Sequence, residues 1–135
     1  MTWWKVWEKA SGRGSTDYYA EGVVLVGQEL YHEALTSFRL ALKDRPDDPA
    51  TLEQIAVIYT HIGLLEEAVR SYRHALQLRP LSPAAHYGLA FLLLKNGEDE
   101  DAADHLRAFL EQAKRDGEEA RQIDHAERTL EKLGG

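Results

Sequence analysis

A fixed interval of 34 residues runs through this chain and limits its possible folds more than any other feature. Ala34, Ala68 and Ala102 are spaced by it, as are Phe38, Tyr72 and Leu106, and Leu42, Leu76 and Leu110. Pro46 pairs with Pro80, Pro49 with Pro83, and Gly63 with Gly97. One unit has been used three times, and a period of this size marks a repeat array. Units of an array bury their apolar faces against their neighbours, so the product is an extended surface rather than a catalytic pocket.

Within a unit the pattern is that of two helices. Asp48 can cap a helix whose first residue is Pro49, where the missing N–H costs nothing, and Ser82 and Pro83 repeat the signal. Leu52, Ile55, Ala56 and Tyr59 give helical apolar spacing up to about His61, and Gly63 suits a left-handed stop. A second helix is expected over about Leu65 to Leu78, ended by Arg79 and Pro80. A connection this short makes the two helices antiparallel. The recurring small residues have a steric reason. Gly22, Ala56 and Ala90 on the first helices and Ala34, Ala68 and Ala102 on the second allow close crossings, and larger residues nearby fill the flanking volume.

This pattern resembles the tetratricopeptide repeat family in length, helix–turn–helix unit, small–large alternation and closing proline. The resemblance implies an all-α fold, a right-handed α-α superhelix (solenoid) of three units at about 15–48, 49–82 and 83–116. It departs from the family at Glu29, which replaces the turn glycine, at Phe109, which replaces the alanine seen at Ala41 and Ala75, and at Lys114, which replaces the closing proline. The last two predict a third unit whose second helix runs long. Ala120, Ile123, Ala126, Leu130 and Leu133 then predict a capping helix at about 118–133 that covers the last apolar face. Residues 1–14 form a Trp-rich segment and linker ahead of the 15–135 domain.

Composition removes several function classes. The chain has 23 Asp and Glu against 16 Lys and Arg, which argues against nucleic acid and anionic membrane as partners. There is no cysteine, which excludes disulfides and thiolate chemistry. No stretch approaches the roughly 20 apolar residues of a membrane span, and the N-terminus lacks a signal-peptide core, so a cytoplasmic location is expected. His32-Glu33 has no second histidine in zinc-protease spacing, and Gly12-Arg13-Gly14-Ser15-Thr16 lacks the ending of a phosphate loop. Asn96 to Asp101 has its glycine too early for a calcium loop and reads as the acidic start of a helix. No catalytic residue, metal site or cofactor is expected.

In the resembled family the first helices line a concave groove that binds peptides. Carried onto this chain, that lining is Tyr19, Val23 and Val26, then Glu53, Val57, Thr60 and His61, then Tyr87, Phe91, Leu94 and Lys95, with Arg121, His125 and Arg128 as additions from the terminal helix. Relatives that hold the carboxylate tail of heat-shock chaperones use Lys, Asn and Arg on these faces. The matching places here hold Tyr19, Ala20, Val23, Gln54, Val57, Ala84 and Gly88, which argues against that partner. The resemblance therefore implies a scaffold for an apolar or amphipathic protein segment. Trp3, Trp4 and Trp7 leave three alternatives open: a partial unit that caps the array, a segment that fills its own or a neighbour's groove and so drives self-assembly, or a free docking element. Trp4 falls in register with Phe38, and Trp7 with Ala41.

Overall fold

The computed structural model describes residues 17–117 and 120–134. Among the described residues the structure is all helical, and its helices fall into two compact units divided after Pro46. Trp3, Trp4 and Trp7 lie outside the described residues.

The first unit contains α1 (Tyr18–Gly27) and α2 (Tyr31–Asp44). Asp17 caps α1 by accepting the Ala20 N–H at 3.0 Å, satisfying one of the donors a helix start leaves open. Gly22 lies where α1 meets the Phe38 ring, and a Cβ there would come within 2.7 Å of it. Phe38 and Ala34 are completely buried. The buried Ser37 hydroxyl donates to Glu21 at 3.2 Å, so no polar group is stranded at this crossing.

The second unit contains α3 (Pro49–His61), α4 (Leu65–Leu78), α5 (Pro83–Lys95), α6 (Asp99–Asp116) and α7 (Ala120–Lys132). Each helix from α3 to α7 packs against the next. Proline opens both α3 and α5, but the two caps differ. Ser82 accepts the Ala85 N–H, whereas Asp48 makes no backbone cap bond and instead accepts the Thr51 hydroxyl at 2.7 Å. Two apolar clusters run through the unit. Ala56, Ala68, Tyr72, Leu89 and Leu93 share the first. Ala90, Leu106, Phe109, Ala113, Ala126 and Leu130 share the second, which joins α5, α6 and α7. Phe109 is fully buried at a position where the earlier units carry alanine. The helix that bears it, α6, has 18 residues against 14 for α2 and for α4. The extra length presents Ala113 to α7, the helix that covers this end of the core.

Three turns between paired helices share one closure. The N–H groups of Leu30, Leu64 and Glu98 reach back to the carbonyls of Leu25, Tyr59 and Leu93 at 2.9, 2.8 and 2.9 Å. This closure requires a left-handed residue just past the helix. Gly63 and Gly97 supply it with φ of 85° and 80°, but the first turn uses Glu29 at φ 59°. A side chain with a Cβ pays a steric cost there that glycine does not.

One polar chain ties α4, α5 and α6 together. His86 Nε2 lies 2.8 Å from the Pro80 carbonyl, which can only accept, so this nitrogen carries the proton. His86 Nδ1 then accepts from His105 Nδ1 at 2.9 Å. His105 Nε2 faces Asp101 at 3.7 Å, and Asp101 holds Arg73 of α4 at 3.1 Å. Burial, first, and then His86 push the His105 pKa down, with Arg73 adding to the shift and Asp101 and Asp104 opposing it. The neutral imidazole is the form the fold prefers.

Glu29→Gly should stabilise the chain by up to about 1 kcal/mol, because relief of the left-handed penalty outweighs the added unfolded-state freedom; a raised urea midpoint would show it. Because folding depresses the His105 pKa, its contribution is present above the ordinary histidine value and is lost as pH falls, when the unfolded chain binds the proton more readily. His105→Asn keeps a neutral donor for His86 and removes the titration. Its melting temperature should therefore fall less than the wild type's between about pH 7.5 and about pH 5.5.

Candidate functional site

The inner faces of α3 and α5 carry the residues that the repeat spacing assigns to a groove. On α5, Tyr87, Phe91 and Lys95 recur every fourth residue and so form one stripe. On α3, Val57 and His61 occupy the positions 34 residues before Phe91 and Lys95, and Thr60 stands in register with Leu94. These seven side chains line a single cleft of about 740 Å³.

The same cleft has further contributors. Tyr72 reaches it from α4, and Gly88 and Leu92 complete the lining on α5. Tyr72 and Gly88 depend on each other. A Cβ on Gly88 would overlap the Tyr72 ring and hydroxyl, so the missing side chain is what lets the phenol pass beneath α5. Burial, with the Glu53 carboxylate second, raises the Tyr72 pKa to about 12, and the phenol stays protonated. The small residue at position 88, opposite a tyrosine in the Phe38–Tyr72–Leu106 series, is the sequence signal that could have revealed this pair.

One end of the cleft is aromatic. Tyr87 packs edge-on against Phe91, with ring centroids 4.9 Å apart, and lies 4.8 Å from the buried Phe109 ring. His125 of α7 stacks on Phe91 at 4.6 Å with the planes 7° apart, and its Nδ1 lies 2.9 Å from the Tyr87 hydroxyl. The Tyr87 pKa is raised by burial. From the terminal helix His125 enters the lining, whereas Arg128 is paired with Asp124 at 2.6 Å and Arg121 is absent from the cleft.

Four apolar residues of the cleft are part core and part surface. Val57 and Leu94 pack against the first apolar cluster, and Tyr87 and Phe91 against the second, while all four border the cleft. Their roots are therefore fixed before any ligand arrives. Glu53 is not part of this lining. Its carboxylate accepts the Ser82 hydroxyl at 2.5 Å and so braces the cap of α5 against α3. Tyr19, Val23 and Val26 belong to the first unit. Tyr19 lies edge-on to Phe38 with centroids 5.6 Å apart, Val23 is exposed and Val26 is half-buried.

Among the described residues no group of three or more His, Asp or Glu is arranged to hold a metal ion. None of the described helices is long and apolar enough to cross a membrane.

Comparison with known proteins places this architecture. Residues 58–97 match the family model of the TPR (tetratricopeptide) repeat. No curated protein is similar enough in sequence to match. Solved structures match in fold. The Yersinia enterocolitica type III secretion chaperone SycD, in complex with a peptide of the translocator YopD, superposes with a TM-score of 0.81 at 18% identity over 87% of this chain and 89% of that one. The TPR2B domain of yeast Sti1, in complex with pHsp70, gives 0.77 at 19% identity over 85% and 94%. The Sgt2 TPR domain of Aspergillus fumigatus gives 0.73 at 20% identity over 87% and 74%. The period, the paired helices and the shared turn closure agree with these matches: residues 58–97 carry a tetratricopeptide repeat, and the chain has the fold of tetratricopeptide-repeat proteins.

Proposed function

We propose that the protein is a non-catalytic interaction scaffold whose second-unit cleft holds an apolar or amphipathic segment of a partner protein. The observation that carries this reading is the cleft of about 740 Å³ bordered by Val57, Tyr87, Phe91 and Leu94, four apolar side chains anchored in the core yet turned to solvent. Its size falls within the range of about 300–1,000 Å³ typical of ligand sites. Aromatic side chains fixed in a concave surface are the usual anchors of tight binding, since they bury much area at little entropic cost. The peptide complex of SycD and the pHsp70 complex of Sti1 support the reading by analogy of fold. Tyr19, Val23 and Val26 are proposed as a further contact surface on the first unit.

The length of the cleft bounds its ligand. Both α3 and α5 have 13 residues, or about 20 Å of helix. About six extended residues or about thirteen helical ones span that distance. Random peptides of about this longer length, displayed as a library and selected on the whole chain, therefore test the cleft without a known partner. Selected peptides should be rich in Leu, Phe and Trp. Phe91→Ala should weaken them about tenfold to a hundredfold, which corresponds to the ~1.5–3 kcal/mol of a buried aromatic side chain. Thr60→Trp, which fills the cleft from an exposed position and removes no core atom, should block them while helical circular dichroism is retained. Full-strength binding by both folded variants would refute the cleft as the site. The alternative occupant, the Trp3–Trp4–Trp7 segment of the same or another copy, is read in parallel. If that segment fills the cleft, deleting residues 1–10 should strengthen peptide binding or reduce the mass of the particle in light scattering.

A further inference from the structure

We infer that this cleft selects segments with a carboxylate beside their apolar anchors, at the end formed by His61 and Lys95; the inference rests on the cleft being the binding site. Three titratable nitrogen side chains border the cleft, Lys95, His61 and His125, and no carboxylate does. That local balance opposes the chain as a whole, which carries a formal net charge of −7. The acidic residue on the inner face of α3, Glu53, turns its carboxylate to the Ser82 hydroxyl and does not border the cleft.

Four cations of this unit, Arg79, Lys95, Arg121 and Lys132, make no ion pair among the described residues, and of these Lys95 borders the cleft. Arg70, Arg73, Arg107, Lys114, Arg115 and Arg128 each pair with an Asp or Glu. Lys95 makes no such bond among the described residues and is exposed at the last turn of α5. It also borders a smaller cleft of about 260 Å³ that contains Glu66 and Glu98, and it pairs with neither. His61 stands at the matching last turn of α3, one repeat interval earlier. A ligand whose apolar side chains seat at Val57 and Phe91 therefore meets basic groups at one end of the cleft. An exposed ion pair of this kind is worth about twofold to fivefold in affinity at low salt and less as salt is raised.

The peptide library described above supplies the test, read as charge rather than hydrophobicity. A chain with a net charge of −7 attracts basic peptides in general, so a preference for acidic ones is diagnostic of the cleft. Among clones that lose binding in Phe91→Ala, Asp and Glu should exceed Lys and Arg next to the apolar anchors. Their affinity should fall about twofold to fivefold in Lys95→Gln, and selection on Lys95→Glu should no longer favour acidic clones. Phe91-dependent clones with no acidic excess, or with the same excess on Lys95→Glu, would overturn the inference while leaving the cleft reading intact. A selection that yields no Phe91-dependent clone would overturn both.

Discussion

Two helices can approach closely only where a side chain is small, and the repeat places such a residue at every crossing. Gly22, Ala56 and Ala90 serve on the first helices, and Ala34, Ala68 and Ala102 on the second; the five alanines are completely buried. The larger neighbours are shaped around these contacts. Phe38 fills the space that Gly22 leaves, and Tyr72 fills the space left by Gly88. A methyl group added at such a crossing must move a ring within a packed core, where overpacking typically costs about 1–3 kcal/mol. The cleft is a consequence of the same spacing. With α4 and α6 occupied by the small–large contacts, the opposite faces of α3 and α5 are left facing solvent with their apolar side chains rooted but uncovered.

The scaffold was legible in the sequence because its determinants are local. Proline at the start of α3 and α5, a left-handed residue after each paired first helix, and apolar residues at helical spacing all act within a few residues, and the structure places those helices where the pattern indicates. The long α6 was readable from Phe109 and Lys114, since a large residue in an alanine position must have somewhere to go. Seven of the eleven expected groove residues meet in one cleft for a related reason: a shared register places them on matching faces.

What escaped the sequence reading depends on where side chains end rather than where they begin. Glu53 shares the inner-face register, yet its carboxylate serves the Ser82 cap. Tyr72 belongs to a second helix, yet its phenol borders the cleft because position 88 has no side chain to stop it. Of the three candidates named on the terminal helix, His125 borders the cleft and the two arginines do not, since His125 finds a ring to stack on and a hydroxyl to bond. The His86–His105 chain joins residues 19 apart in sequence through ring nitrogens, and no spacing rule anticipates it.

The central claim is that ligands seat against the uncovered faces of α3 and α5. Nuclear magnetic resonance mapping of the wild-type chain with a selected peptide tests it most directly. Shifts are expected for the methyl groups of Val57, Leu92 and Leu94 and for the rings of Tyr87, Phe91 and His125. Signals from Leu78 and Leu81, exposed at and just beyond the end of α4 and outside the cleft, should stay in place. Shifts centred on Leu78 and Leu81, with the Phe91 and Val57 signals unmoved, would contradict it.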